Sequence, residues 1–410
     1  MFEQKPKHSM MKKLICVLLT AVLLAVPAVS LASAEEEPER YPFVFVSGFA
    51  GWGQYETALN EALPYWGRLN GDLMAQLNAA GFECYAASVD PVASAWDRAC
   101  ELYAQLTGNV VDYGKVHSEK YGHERYGTDF SKNPLLTGWD DGSGRLAKIH
   151  LIGHSFGGAT IRLFAQLMAS GSKAEQEGTP SGELSGLFTG GKADLIFSVT
   201  TLAAPHNGTT LTILNKPIKT LYSLGPIAYA NEKLTGTQLG ATLDYIKGLS
   251  DIALLVRDPD TGVLDLNPDG AAELNKIVST IPGIYYFSVP TDATAKTTLL
   301  GNRLPDVKTA DPGLWFPITF LGSTTGKTAG GIVYDKSWLN NDGVVNTIST
   351  VAPFGQPQQK YDEYDLQPGI WNIMPTYRGD HAAIIGGLTK RSDVTDYYIA
   401  HLRLLERLAG

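Results

Sequence analysis

The chain has few cysteines, no excess of basic residues and only one long apolar run, and each shortage excludes a class of protein. Three cysteines in 410 residues are too few for a small scaffold held together by disulfides. Cys16 lies in the apolar run near the start, and the other two, Cys84 and Cys100, are compatible with a single disulfide bridge or with two free thiols. The formal net charge is −9 and no basic patch is evident, so we do not expect nucleic acid as a partner.

The one long, nearly unbroken apolar run lies near the start, from Leu14 to Val26. Lys12-Lys13 precedes it, and Ala32-Ser33-Ala34 follows it. This order of positive, apolar and small residues is typical of a secretory signal peptide, and the run is too short for a stable membrane span. We therefore expect residues 1–34 to be a signal peptide and residues 35–410 to be exported.

The most informative stretch runs from Ile149 to Gly158. Apolar residues predict a short buried strand, Gly-x-Ser-x-Gly follows, and residues 159–168 have the pattern of a helix. The bare motif is common by chance in a glycine-rich chain, but strand, sharp turn and helix are the context that makes it a nucleophile elbow. We predict that Ser155 is a nucleophile and that the N–H of Phe156 donates to an oxyanion.

A second stretch predicts the other half of an oxyanion site. Residues 41–46 indicate a buried strand, and a glycine-rich loop follows at Ser47–Gly53. In α/β-hydrolases the loop after an early strand supplies the second main-chain donor, which here would be the N–H of Phe49. The alternative interpretation is an ordinary glycine-rich turn.

Alternating strand and helix patterns continue along the chain, and together with the elbow and the glycine-rich loop they predict an α/β-hydrolase fold, with a mostly parallel central sheet flanked by helices. Residues 170–192 and 299–328 are interpreted as loops. The other predicted elements are helices at 73–80, 93–106 and 394–408 and strands at 82–89, 195–202 and 285–289.

The partners of the serine follow from their order along the chain, which in this fold is nucleophile, acid, histidine. Of the eight histidines, His206 and His381 remain once those before or beside Ser155 and the one on the last predicted helix are set aside. Asp342 lies in an Asn-Asp-Gly turn between apolar pairs, where the acid is expected. We predict a triad of Ser155, Asp342 and His381, with His206 as the alternative base. Because this triad spans most of residues 35–410, we expect one catalytic domain.

Seven segments, in the same order as in the family, resemble the bacterial true lipases of the thermoalkaliphilic bacillus and staphylococcal kind. They are Ser47–Gly53, Trp96–Cys100, His117–Gly127, Gly153–Gly158, Ala204–Thr209, Asn341–Thr347 and Asp380-His381. The resemblance implies that the chain hydrolyses esters with apolar acyl groups, such as acylglycerols, through an acyl-enzyme. It also implies that residues 209–250 form a lid over the acyl site. Phe49, Trp52 and Phe156 would line an aromatic acyl groove that, if open, would admit polyesters as a side activity.

The resemblance further implies a zinc ion in an insertion at residues 95–130. The matching ligand positions are Asp97, His117, His123 and Asp244. Two imidazoles and two carboxylates suit tetrahedral zinc, whereas nitrogen ligands disfavour calcium. Four protein ligands leave no open position, so the ion would be structural.

Two departures from the family pattern carry expectations of their own. Ser47 stands where the family usually has histidine, which leaves the N–H of Phe49 in place but changes the support of its loop. The bacillus relatives bind calcium through an acid just after the catalytic histidine. Here Ala382, Ala383 and Leu388 offer no carboxylate, so we expect no calcium near the triad.

The sequence therefore predicts a secreted, monomeric serine carboxylic-ester hydrolase, a triacylglycerol lipase or esterase. Two alternatives stay open. An acyltransferase would pass the same acyl group to an alcohol in place of water. A catalytically inactive surface binding protein is the other alternative, and the intact set of Ser155, Asp342 and His381 disfavours it.

Overall fold

The computed structural model describes residues 40–140, 148–213, 259–296, 301–387 and 393–410. Residues Arg40–Ala409 form one compact unit. The predicted signal peptide and most of the predicted lid fall outside the described residues. Among the helices that are described, none is both long enough and apolar enough to cross a membrane.

The described part of the chain contains both strands and helices. The strands are β1 (Phe43–Val46), β2 (Cys84–Ala87), β3 (Val110–Asp112), β4 (Tyr126–Asp129), β5 (Ile149–His154), β6 (Ile196–Leu202), β7 (Tyr285–Val289), β8 (Thr291–Asp292), β9 (Thr294–Lys296), β10 (Arg303–Pro305), β11 (Gly326–Lys327), β12 (Val333–Tyr334), β13 (Gln358–Lys360), β14 (Trp371–Ile373) and β15 (Tyr377–Arg378). The helices are α1 (Thr57–Ala62), α2 (Leu73–Ala79), α3 (Ala95–Thr107), α4 (Lys115–Tyr121), α5 (Phe156–Ser170), α6 (Lys173–Gly178), α7 (Gly186–Thr189), α8 (Gly262–Leu266), α9 (Pro268–Ile277), α10 (Trp315–Leu321), α11 (Thr347–Val351) and α12 (Val394–Ala409).

A seven-stranded sheet in the order β13-β14-β7-β6-β5-β1-β2 forms the centre of the described part. Every neighbouring pair in it is parallel. Parallel sheets are covered on both faces, and accordingly every residue of β1, β5 and β6 is buried. In parallel strands all carboxyl ends reach the same edge, which brings the loops after β1, β5 and β7 together.

The side chains of β1 show how the two faces are filled. Phe43 and Phe45 point into an apolar cluster that contains residues of α2 and α12. Val44 and Val46 point into a second cluster, which contains residues of α3 and α5. This alternation is the period of two expected for a strand with both faces covered.

The insertion is a small unit beside this sheet. Strands β3 and β4 pair in an antiparallel ribbon, and α4 lies between them in the chain. Arg125 joins the ribbon internally, with two contacts of 2.9 Å to the carboxylate of Asp112. Glu175 of α6 accepts the N–H groups of Val116 and His117 at 3.1 and 2.8 Å, so a carboxylate from elsewhere in the chain caps the start of α4.

Most predicted elements agree with the structure, including the strand at 285–289. Residues 170–192, predicted as a loop, contain α6 and α7, and residues 299–328 contain α10. Strands β13 and β14 were not predicted, because three residues each are too few to show a period. Cys84 and Cys100 are free thiols, buried in different apolar clusters.

Candidate active site

Ser155 sits at a sharp turn between β5 and α5. Its backbone has φ 55° and ψ −127°, a strained conformation for a residue with a side chain. The turn needs glycine on either side of the serine. A Cβ on Gly153 would lie 2.5 Å from the carbonyl oxygen of Gly157. A Cβ on Gly157 would collide with the carbonyl oxygen of Val46. This is the geometry of a nucleophile elbow.

The structure brings Ser155, His381 and Asp342 together in one line of hydrogen bonds. Oγ of Ser155 lies 2.8 Å from Nε2 of His381. Nδ1 of the same ring lies 2.9 Å from Oδ2 of Asp342. The serine and the histidine are 226 positions apart in the chain. The arrangement can move the serine proton to the imidazole while the carboxylate stabilises the resulting cation.

Asp342 is completely buried, and other groups hold its carboxylate in place. Oδ1 accepts the N–H groups of Val344 and Val345 at 3.0 and 2.7 Å. Oδ2 accepts the hydroxyl of Thr291 at 2.6 Å in addition to its contact with His381. These donors compensate for the burial of a negative charge and orient the oxygen that faces the imidazole.

The predicted oxyanion donors belong to backbone that lies on either side of Ser155. A Cβ on Gly48 would lie 2.7 Å from the Cβ of Ser155, so the loop that carries Phe49 passes directly beside the nucleophile. Phe156 is the first residue of α5, and its N–H therefore has no acceptor within the helix. An oxyanion beside Ser155 would meet the positive end of the helix.

Arg98 of α3 supports the loop from behind and was not singled out in the sequence. Its Nη2 donates to the carbonyl of Ser47, and its guanidinium lies 4.8 Å from the centre of the Phe156 ring. The loop is thus held through a main-chain oxygen, which does not depend on the side chain at position 47. Burial lowers the pKa of Arg98 to about 10. Its Nε and Nη1 find no hydrogen-bond partner among the described residues.

A second group of chemically active side chains lies in and beside the insertion. It consists of Asp97, His117, His123 and Asp260, whose ligand atoms all lie within 4.8 Å of one another. Nε2 of His117 is 2.8 Å from Oδ2 of Asp260 and 3.2 Å from Oδ1 of Asp97. Nε2 of His123 is 3.3 Å from Oδ2 of Asp260.

Protons alone do not satisfy this group. One ring nitrogen carries at most one proton, so Nε2 of His117 cannot serve two carboxylates fully. Oδ1 of Asp97 and Nε2 of His123 are buried, and although a group of opposite character lies within 3.3 Å of each, neither atom makes a hydrogen bond among the described residues, which is costly. Burial opposes a charge on His117, but Asp260 and Asp97 outweigh it and raise the pKa of His117 to about 8. The four residues therefore fit a metal ion.

Comparison with known proteins shows which family the chain belongs to. Residues 39–402 match the family described as "Lipase-like, C-terminal domain". The chain belongs to this lipase family. Lipase 2 of Staphylococcus aureus is 36% identical over 367 residues, which are 85% of this chain and 50% of that protein. The lipase of Staphylococcus hyicus is 36% identical over 394 residues, 90% of this chain and 58% of that protein. The chain spans about half the length of the curated relatives it matches.

Solved structures of similar proteins confirm the predicted α/β-hydrolase fold. EstA from Clostridium botulinum gives a TM-score of 0.80 at 35% identity, covering 91% of this chain and 88% of that one. Lipase 1 from Pelosinus fermentans gives 0.75 at 36% identity, with 90% and 98% covered. The Staphylococcus hyicus lipase gives 0.72 at 34% identity, with 91% and 97% covered.

Among the residues that the structure describes, the fourth member of the group is an acid that the sequence analysis did not name. Asp244 lies outside the described residues, and Asp260 occupies the fourth position. The signal that sequence reasoning passed over is the polar segment Asp-Pro-Asp-Thr-Gly ending at Gly262, which follows the short apolar run Ile252–Val256 and Arg257 and has the composition of a turn. A turn residue of this kind can present a carboxylate to α3 and α4.

The predicted aromatic acyl groove requires correction. Trp52 is only 2% exposed, donates from Nε1 to the carbonyl of Leu63 at 3.0 Å and packs edge-on against Tyr65. The ring of Phe156 is fully buried beneath Arg98. Trp52 is therefore a core residue that supports the neighbourhood of the site.

The alternative base, His206, does not reach the serine. Its Nε2 lies 3.0 Å from Oγ1 of Thr201, and its ring lies against Trp371 with a centroid distance of 4.7 Å. Burial lowers the pKa of His206 well below its ordinary value. It is a neutral, buried residue in the loop after β6.

Proposed function

We propose that the protein is a serine carboxylic-ester hydrolase that acts through an acyl-enzyme on esters with apolar acyl groups, most of all acylglycerols. The observation that carries the proposal is the buried line from Asp342 through His381 to the strained Ser155. Membership of a family whose relatives are named lipases supports the substrate class.

The proposed reaction follows from the positions of these atoms. Nε2 of His381 takes the proton of Ser155 as its oxygen attacks the ester carbonyl. The N–H groups of Phe49 and Phe156 stabilise the oxyanion that forms, and Asp342 stabilises the imidazolium. The imidazolium then protonates the leaving alcohol, which gives the acyl-enzyme. Water attacks the acyl-enzyme with the same base, and the acid is released.

We further propose that the group of Asp97, His117, His123 and Asp260 holds a structural zinc ion. The mixture of nitrogen and carboxylate oxygen ligands suits zinc, and four protein ligands complete a tetrahedral site. The two unsatisfied polar atoms support an ion at this place. When bound, the ion would neutralise the two carboxylates and join α3, α4 and the segment before α8. No step of the proposed reaction involves it.

The proposal includes export and a monomeric state. The lysines, apolar run and small residues of positions 1–34 support cleavage by a signal peptidase. Mass spectrometry of the protein secreted by a bacterial host tests both claims, since the intact mass gives the new N-terminus and native mass gives the number of subunits. A mature chain that retains residues 1–34 would contradict export.

The function is tested with p-nitrophenyl and glycerol esters of increasing acyl length. We expect hydrolysis by the wild type, loss of at least about 1,000-fold in kcat for Ser155→Ala, and no effect of Ser337→Ala, an exposed serine. Turnover that survives in Ser155→Ala would refute the proposal. Adding methanol distinguishes hydrolysis from acyl transfer, because a transferase would form methyl esters faster than free acid.

A further inference from the structure

A second chain of hydrogen bonds runs behind the triad. It connects the loop Ser47–Gly53, here called the oxyanion loop, to the main chain of His381, the general base. The N–H of Gly48 donates to the hydroxyl oxygen of Tyr65 at 2.8 Å. That hydroxyl lies 2.6 Å from Nδ1 of His154. Nε2 of His154 lies 3.0 Å from the carbonyl oxygen of His381. Tyr65 and His154 are only 3% and 2% exposed.

The direction of every proton in this chain is determined by its two ends. The carbonyl of His381 can only accept, so Nε2 of His154 must carry a proton. Burial lowers the pKa of His154 well below its ordinary value, and the ring is therefore neutral. Nδ1 of His154 is then an acceptor, and the Tyr65 hydroxyl donates its proton to it. The oxygen of the same hydroxyl accepts the N–H of Gly48. Every polar atom of the Tyr65 and His154 side chains therefore has a hydrogen-bond partner.

The two ends of the chain are the two groups that must keep a constant separation during the reaction. At one end, Gly48 precedes the predicted donor Phe49, and its carbonyl accepts the N–H of Gly51 at 3.0 Å. At the other end, His381 carries the general base. Errors of about 1 Å in such positions cost on the order of 100-fold in rate.

We propose that Tyr65 and His154 are positioning residues for the esterase reaction: together they hold the oxyanion loop and the main chain of His381 at a fixed separation. This inference rests on the proposed function. Neither side chain touches the substrate; they act through Gly48 and His381. The neutral His154 also lies with its ring centre 4.8 Å from that of His381, where a second cation would oppose the imidazolium.

Another histidine on the same strand offers a matched control. His150 is also completely buried in β5, but its Nδ1 lies 2.8 Å from Oγ of Ser198 and its ring stacks on Phe43. None of these contacts involves the triad or the oxyanion loop. Substitution of His150 therefore measures the cost of losing a buried histidine from β5 alone.

The experiment compares kcat and KM for a soluble ester in Tyr65→Phe, His154→Phe, His154→Gln and the control His150→Phe. We expect kcat to fall about tenfold in Tyr65→Phe and about 100-fold in His154→Phe. KM should stay within about twofold, because the chain acts on groups that stabilise the transition state. The amide of His154→Gln can still donate to the His381 carbonyl, so this variant should recover part of the lost rate. His150→Phe should keep the wild-type kcat.

A double variant sharpens the test. If the chain works as one unit, Tyr65→Phe combined with His154→Phe should be no slower than His154→Phe alone. A wild-type kcat in folded Tyr65→Phe, or fully additive losses in the double variant, would overturn the inference. If His154→Phe does not fold, Tyr65→Phe and His154→Gln decide. These outcomes are separate from those of Ser155→Ala, whose retained activity would refute the proposed function itself.

Discussion

At the scale of single residues, the site depends on buried polar groups that other residues orient. Asp342 accepts two main-chain amides and one hydroxyl besides its contact with His381. Arg98 holds the oxyanion loop through the carbonyl of Ser47. Such contacts are expensive to break, since a buried group that loses its partner keeps the full cost of desolvation.

We expect Arg98→Lys to lower kcat about tenfold with little change in KM, because lysine keeps the charge but loses the guanidinium that lies 4.8 Å from the Phe156 ring centre and donates to Ser47. Steady-state kinetics on a soluble ester measure this. Arg162→Lys is the control, since Arg162 is equally buried but donates to Asn275 at 2.7 Å, away from the loop. Equal effects of the two substitutions would show that Arg98 has no particular role in the loop.

At the scale of elements, the insertion depends on contacts from outside itself. Helix α4 has seven residues and would not be stable alone. Glu175 caps its first turn from α6, and Asp97 and Asp260 approach His117 from α3 and from the segment before α8. The metal group is thus assembled from three separate parts of the chain.

We expect Glu175→Gln to destabilise the insertion by about 1 kcal/mol, because an amide offers one acceptor where the carboxylate offers two and lacks the charge that favours a helix N-terminus. Release of the proposed zinc ion to a chelator should become faster, and this is followed with a colorimetric indicator. Glu177→Gln on the same helix is the control, since Glu177 is exposed and pairs only with Lys173 at 3.7 Å. Unchanged zinc release in Glu175→Gln would contradict the capping role.

Asp97→Ala should lower the thermal unfolding temperature more than it lowers turnover of a soluble ester. Loss of one of four ligands weakens a structural ion, and no reacting atom depends on that ion. Calorimetry, elemental analysis and kinetics on the same preparation test this, with Asp129→Ala, an exposed acid in β4, for comparison. A larger effect on turnover than on stability would indicate that the ion takes part in the chemistry.

At the scale of the whole molecule, buried neutral histidines make the fold sensitive to acid. Burial lowers the pKa of His150 to about 3 and that of His401 to about 4. It lowers those of His154 and His206 as well. Below pH 6.5 these histidines bind protons in the unfolded chain but stay neutral in the folded protein. The free energy of unfolding must therefore fall as the pH is lowered from 6.5 toward the pKa values of the folded state.

For His150 this linkage amounts to about 2 kcal/mol between pH 7 and pH 5, at about 1.4 kcal/mol per pH unit. We expect His150→Phe to reduce the loss of stability between these two pH values by about that amount in urea titrations. Phe43→Leu, which removes the ring stacked on His150 but adds or removes no titrating group, should change stability equally at both. An unchanged difference in His150→Phe would contradict the linkage.

Much of the site could be predicted from the sequence because its signals are local. The elbow around Ser155 follows from the size of two glycines and the pattern of a strand and a helix, and the order of Asp342 and His381 follows from the fold. Those three side chains meet beyond the carboxyl ends of β5 and β7, since Ser155 directly follows β5 and Thr291, two residues after β7, donates to Asp342. Asp260 was missed because it lies 143 positions from His117 and no local pattern connects them.

By itself, the sequence determined most of the longer elements, the fold class and the order of the reacting groups, since these depend on periodicity and on steric limits between near neighbours. Only the tertiary structure decided what each side chain faces: Trp52 turned into the core, Arg98 behind the loop, and Tyr65 and His154 between the loop and the base. The reason is physical, because the partner of a buried polar group is set by the packing of distant segments.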